Sequence, residues 1–157
     1  MREVSDFIVI GGGPAGSTIS TQLSRKGYSV KLFEKEKFPR EHVGESLLPF
    51  CYQMFEELDI LEPMKKSMVR KPGVMFISAD GKKHNTYCFN KVIKDESALS
   101  FHVLRAKFDD MLLQNSRKFG TSVYEECKVN DVDLESEDGI VKVEVSDNSG
   151  LNTFYCK

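Results

Sequence analysis

The feature that most constrains this chain is a run of glycines, Gly11-Gly12-Gly13-Pro14-Ala15-Gly16, set directly behind the apolar stretch Phe7-Ile8-Val9-Ile10. A short continuous apolar run ending in glycines suits a strand inside a parallel sheet. Behind Pro14, Ala15, Ile19 and Leu23 recur at four-residue spacing and Gly27 offers a stop, so this stretch reads as a helix. Ser29-Val30-Lys31-Leu32-Phe33 then reads as a second strand, closed by Glu34. Strand, glycine turn, helix and strand within about thirty residues make one βαβ unit.

Each glycine has its own task in such a unit. Gly11 allows a tight turn off the strand, Gly13 leaves room for a pyrophosphate against the backbone, and Gly16 lets the helix pack closely on the strand. Pro14 and Ala15 open the helix, whose first turn offers N–H groups and the positive end of the dipole to an anion. Glu34 comes 18 residues after Gly16. A carboxylate there accepts hydrogen bonds from ribose hydroxyls and repels a 2′-phosphate, which speaks against NADP. A glycine pattern alone is weak. With a strand before it, a helix behind it and an acid ending the next strand, it points to a dinucleotide.

The remainder of the chain is readable in outline. Leu47, Phe50, Cys51, Met54, Phe55 and Leu58 fall at helical spacing and predict one buried stripe. Val69 to Ser78 and Lys83 to Phe89 read as two strands joined by Ala79-Asp80-Gly81. Arg105 opens a helix with Phe108, Met111 and Leu112 on one face and Gly120 at its end. Four strand candidates follow: 121–125, 128–134, 140–146 and 151–156. Val141, Val143 and Val145 alternate with Lys142 and Glu144, the pattern of a half-exposed antiparallel strand. Glu137-Asp138-Gly139 and Asp147-Asn148-Ser149-Gly150 supply the turns.

Composition narrows the functional classes. A net charge of −2 with scattered basic residues gives no nucleic-acid surface. The basic stretch Lys65 to Lys71 is broken by apolar residues and reads as a solvated face. Cys51, Cys88, Cys127 and Cys156 have no metal-type spacing and fit a reducing compartment. The start, Met1-Arg2-Glu3-Val4-Ser5-Asp6, is neither a secretory leader nor a membrane span, so the expectation is a soluble cytoplasmic protein.

Three stretches carry a family resemblance. Gly11 to Gly16 with Ser17, followed by Phe33-Glu34-Lys35, resembles the N-terminal fingerprint of the flavoprotein hydroxylase superfamily. Phe38-Pro39-Arg40-Glu41-His42-Val43-Gly44-Glu45-Ser46-Leu47-Leu48-Pro49 resembles a segment of flavin-dependent halogenases, particularly those acting on phenols and pyrroles. Val103-Leu104-Arg105-Ala106-Lys107-Phe108-Asp109 resembles the superfamily's helix opening. The fold this implies is α/β: a Rossmann-like FAD-binding βαβ unit with a parallel sheet, a three-stranded antiparallel meander and the start of a substrate-domain sheet. The expected division is 1–68 for the first part of the FAD-binding domain, 69–102 for the substrate-domain segment and 103–157 for the remainder with its meander.

By this resemblance the cofactor is FAD, held by Gly11, Gly13, Pro14, Ala15, Gly16, Glu34, Lys35, Arg40, Ser46, Arg105 and the backbone near Val129 beside the adenine. Arg40 suits an anionic phosphate. Arg105 at a helix start opposes the dipole unless it meets an anion. His42 reads as a packed histidine rather than a catalyst, while Glu45 and Ser46 suit either a helix cap or a place near the flavin. Lys71-Pro72-Gly73-Val74-Met75-Phe76 resembles the segment carrying the halogenase lysine, with Val74 where that family has alanine. Lys71 is thereby the catalytic candidate for capture of hypohalous acid, either as a desolvated ammonium that hydrogen-bonds the oxidant or, once neutral, as an amine that forms a chloramine. The intact enzyme implied uses FADH2 from a separate flavin reductase, O2 and halide to halogenate an electron-rich aromatic, free or carrier-bound. Related enzymes are several times longer and carry a Trp-rich segment, whereas this chain has no Trp and reads as a fragment. A flavin monooxygenase, an ene-reductase or a non-catalytic nucleotide-binding module are the alternatives.

Overall fold

A computed structural model describes residues 3–134 and 139–157. The strands are β1 (Val4–Ser5), β2 (Phe7–Ile10), β3 (Val30–Phe33), β4 (Val69–Lys71), β5 (Gly73–Ile77), β6 (His84–Cys88), β7 (Ser100–His102), β8 (Ser122–Tyr124), β9 (Lys128–Asp133), β10 (Val141–Asp147) and β11 (Gly150–Cys156). The α-helices are α1 (Pro14–Arg25), α2 (Tyr52–Glu57), α3 (Leu61–Ser67) and α4 (Arg105–Lys118). Glu137 and Asp138 of the expected turn lie outside the described residues. The chain forms two compact units, one of residues 1–41 with 106–157 and one of residues 42–105.

The first unit is built around β3. It is the middle of a parallel sheet ordered β2-β3-β8, and all four of its residues are buried. Successive side chains of a strand point to opposite faces. Leu32 packs with Phe38 and with Leu113 of α4, against Val9 and Val123. Phe33, one residue on, packs with Val143 and Val145 of β10. That face is covered by the meander β9-β10-β11, whose outer edge takes β1 as a parallel fourth strand. Phe33, Tyr124 and Phe154 form a ring cluster at this junction, with centroids 4.6–5.7 Å apart. The α/β class with parallel sheet and meander is therefore the architecture observed.

α1 departs from the simple reading of its pattern. Ala15 and Ile19 lie on its exposed side, and the buried residues are Ser17, Ser20 and Thr21. Small hydroxyl residues let a helix lie close to a sheet, and two of them satisfy their oxygens locally. Ser17 Oγ donates to Gly12 O (2.7 Å) and Thr21 Oγ1 to Ser17 O (2.8 Å).

The second unit, residues 42–105, buries Tyr52, Phe55, Leu58, Ile60, Leu61, Met64, Met68, Phe101 and Val103. The expected stripe from Leu47 to Leu58 holds only in its second half. Phe50 is 95% exposed, while Tyr52 is buried. The reason is the entry: a 3₁₀ turn, Pro49–Cys51, precedes α2, and three residues per turn rotate the face away from the 3.6-residue pattern. Glu45 and Ser46 do not cap this helix. They run extended, with Val103 N donating to Glu45 O (2.8 Å), Leu47 N to Phe101 O (3.0 Å) and Ser46 bridged to His102. The expected strand 69–78 is broken at Pro72, which has no N–H for a ladder. Its first part, β4, pairs with β7, and its second part, β5, pairs with β6.

Where β1 turns into β2, Asp6 ties the entrances of two strands together. Its carboxylate accepts from Ser29 N (2.9 Å), Ser29 Oγ (2.7 Å) and Lys157 Nζ (2.7 Å). The Lys157 ammonium first, then the Ser29 amide and hydroxyl, hold the Asp6 carboxyl well below the usual carboxylate range. A depressed carboxyl contributes stability that is present above its unfolded value and is lost as pH falls through its folded value. Asp6→Asn should therefore lower the urea midpoint at pH 7, and the gap to wild type should close as the pH drops below about 4. Urea denaturation at a series of pH values reads this directly; a gap independent of pH contradicts it.

Candidate functional site

At the carboxyl end of β2, beside that of β3, the backbone turns away on glycines. Gly11 has φ of 98°, a conformation L side chains rarely adopt, and its N–H donates to Phe33 O (2.8 Å). A Cβ on Gly16 would lie 1.9 Å from Gly11 O, so α1 reaches its closeness to the turn only without a side chain there. A Cβ on Gly13 would meet only Arg40 Nη2, at 3.5 Å. The space over Gly13 is thus bounded by a guanidinium and by the first turn of α1, whose leading N–H groups have no intrahelical acceptor.

Glu34 is 4% exposed and is aimed at this corner. Its Oε2 accepts from Gly12 N at 2.7 Å and its Oε1 from Glu36 N at 2.8 Å. A buried carboxylate held by backbone N–H groups stays rigid, and each oxygen keeps a further lone pair. Its backbone is fixed as well, with Glu34 N donating to Tyr124 O (2.8 Å) and Cys127 N to Glu34 O (2.9 Å). Beside it lies a hollow of about 290 Å³ lined by Ile10, Gly11, Phe33, Glu34, Lys35, Cys127, Lys128 and Val129. Burial, then the nearby Asp147 and Glu126, push the Cys127 thiol up, so it stays protonated and neutral at this wall.

Arg40 completes the corner. Its Nη1 donates to Asp109 Oδ2 (3.3 Å), its Nε lies 3.0 Å from Glu36 Oε2 in an ion pair short of hydrogen-bond geometry, and its guanidinium sits 4.7 Å over the Phe38 ring. A buried acid, a ring and a second acid thus fix the direction of the guanidinium, and five N–H donors leave capacity for an anion. Gly12, Asp109 and Phe38 were not singled out in the sequence. Asp109 is fully buried one turn into α4, beside the apolar Phe108, Leu112 and Leu113. An acid within that apolar stripe was the available signal.

The second unit holds the other candidates. Lys71, at the end of β4, is 9% exposed. Its Nζ donates to Leu47 O at 2.8 Å, and it lines a cavity of about 500 Å³ with Arg70, Pro72, Asn90 and Leu99 among its walls. Ser46, next to Leu47, is exposed. Arg105 Nη1 donates to Val43 O (2.7 Å) and would meet a Cβ on Gly44 at 3.0 Å. His42 is exposed rather than packed. Gly11, Gly13, Pro14, Ala15, Gly16, Glu34, Lys35, Arg40 and Val129 therefore lie in one unit, and Ser46, Lys71 and Arg105 in the other. Among the described residues no cluster of His, Cys, Asp or Glu could hold a metal, and no helix is long and apolar enough to cross a membrane.

Comparison with known proteins gives consistent matches. Residues 6–96 match the family model described as tryptophan halogenase. The flavin-dependent halogenase armH3 of Armillaria mellea is 35% identical over 150 residues, which is 95% of this chain and 29% of that protein. The 1H-pyrrole-2-carbonyl-[peptidyl-carrier protein] chlorinase of Pseudomonas fluorescens is 33% identical over 153 residues, covering 87% of this chain and 34% of the relative. The solved structure of the myxobacterial chondrochloren halogenase CndH superposes with a TM-score of 0.87 at 36% identity, covering 99% of this chain and 36% of that one. The chain spans about a third of the length of these relatives.

Gly16→Ala should destabilise the first unit by about 1–3 kcal/mol, because the added methyl forces the turn and α1 apart. Chemical denaturation of the two proteins measures it. An unchanged midpoint would mean that the turn yields freely and that the close approach is not required.

Proposed function

Because this chain belongs to the tryptophan halogenase family, we propose that it forms the FAD-holding part of a flavin-dependent halogenase that acts on an electron-rich aromatic ring. The observation that carries this is Glu34, buried and clamped to Gly12 N at the mouth of a glycine turn without side chains. The residues fit the cofactor. Gly13, the first N–H groups of α1 and Arg40 would hold the pyrophosphate. Glu34 uses its remaining lone pairs for the ribose hydroxyls. The hollow lined by Lys35 and Val129 would take the adenosine end. By the family resemblance Ser46 and Arg105, in residues 42–105, are further candidates for holding the cofactor.

Bound and reduced, FAD would give two electrons to O2, leaving oxygen at the peroxide level that can take two more from halide and so oxidise it. The part played by this chain's own residues is to hold, shield and direct. Lys71 is a wall residue of a cavity, and its ammonium, held by Leu47 O, is the group that hydrogen-bonds the oxidised halogen species and presents it to the ring. Its near-complete burial strengthens that hydrogen bond by excluding water. A cavity of about 500 Å³ has room for a small aromatic. The reduced cofactor comes from a separate flavin reductase. The carrier-protein chlorinase among the relatives supports a substrate that arrives attached to a carrier.

Two substitutions separate the parts of this reading. Glu34→Ala removes hydrogen bonds to a charged acceptor and should weaken FAD binding by about tenfold or more, measured by quenching of flavin fluorescence. Equal affinity would remove Glu34 from the cofactor site. In an active enzyme built on this chain, Lys71→Ala should abolish halogenation while FAD affinity is kept. Retained halogenation would exclude the lysine and favour a monooxygenase role.

A further inference from the structure

The segment Lys71-Pro72-Gly73 is shaped by the close approach of two strands. Gly73 opens β5 opposite Cys88 of β6, and a Cβ there would lie 2.3 Å from Tyr87 O and 3.1 Å from Cys88 Cα. The two strands approach closely at this point because Gly73 has no side chain. Immediately beyond, Phe89 N donates to Pro72 O at 2.9 Å, which fixes the backbone of Phe89 beside that of Pro72, the residue after Lys71. The result is that Lys71 Nζ stands 5.4 Å from the centroid of the Phe89 ring. On its other contact the same nitrogen donates to Leu47 O at 2.8 Å.

We infer that Phe89 is a positioning residue for Lys71, its ring and the Leu47 carbonyl together holding the ammonium in one place. The inference rests on the catalytic reading of Lys71. A lysine side chain has four rotatable carbons and pays rotamer entropy when it is fixed. A ring face attracts a cation without taking any of its N–H groups, and a carbonyl takes one. Two N–H groups are then left to a ligand, in directions set by the protein. Gly73 acts through the backbone: it admits β6, which leads directly into Phe89. A carboxylate in the same place would hold the ammonium more tightly but would also occupy its donors, which a ring does not.

The test is amine labelling of this chain with an N-hydroxysuccinimide ester, read at each lysine by peptide mass spectrometry. Phe89→Leu keeps apolar volume and loses the ring, and it should raise the labelling rate of Lys71 at least about threefold. Phe89→Tyr keeps the ring and should label as wild type. Lys82 and Lys83, in the same hairpin, should not change in either variant. An unchanged Lys71 rate in Phe89→Leu overturns the inference. If all three lysines speed up in Phe89→Leu, the hairpin has opened, and Phe89→Tyr decides: a wild-type rate supports the inference and a fast one overturns it. In an active enzyme, Phe89→Leu should lower kcat about tenfold at unchanged KM for the aromatic, with Phe89→Tyr restoring it; a change in KM alone contradicts positioning. Turnover that survives Lys71→Ala overturns the catalytic reading instead, and labelling reports on Phe89 whether or not that happens.

Discussion

The bond between the Gly12 N–H and the Glu34 carboxylate, 2.7 Å long and buried, organises the first unit. It links the turn after β2 to the end of β3, the two places where a Rossmann-type sheet exposes its ligand-facing edge. Both ends of this link are anchored independently. Glu34 is held through its backbone to Tyr124 and Cys127, and the turn is held by Gly11 N on Phe33 O and Ser17 Oγ on Gly12 O. Asp6 and Ser29 close the opposite ends of the same two strands. The carboxylate is therefore placed by the sheet rather than by a loop. That rigidity is what a site needs if it is to meet a sugar and a diphosphate without reorganising.

Burial makes this arrangement consequential. A carboxylate at 4% exposure has exchanged water for two backbone donors, and losing either leaves a charge in a poorly solvated place. Arg40 follows the same logic with the opposite sign. Asp109 and Glu36 offset its charge, and the Phe38 ring supports its plane. The corner thus combines a fixed acid, a fixed base and bare main chain within one unit. Lys71 in the other unit repeats the pattern, a cation held by a carbonyl and a ring.

Much of this was legible in the sequence because the βαβ pattern is local. The strand, the glycines, the helix and the acid are all determined by neighbours within about thirty residues, so periodicity and turn chemistry suffice. The parts that were not legible depend on tertiary contacts. Phe50 turns outward and Tyr52 inward because a 3₁₀ turn at Pro49 changes the helical phase, which an apolar count cannot register. Ser46 pairs with His102 across more than fifty residues of sequence, and no local signal announces that bridge over a helix cap. The buried face of α1 is made of serines and a threonine, because closeness to the sheet mattered more than apolarity. Asp109 was hidden by distance from Arg40, although a charged residue in an apolar helical stripe was visible.

The most direct measurement is a titration of this chain with FAD followed by 15N-resolved NMR. Amide resonances of Gly12, Gly13, Ala15, Gly16 and Cys127 to Val129 should shift together along one binding curve, and in Glu34→Ala that curve should move to higher FAD concentration. Saturable FAD binding that leaves the glycine-turn amides where they were would contradict the account, because the diphosphate would then be seated somewhere else.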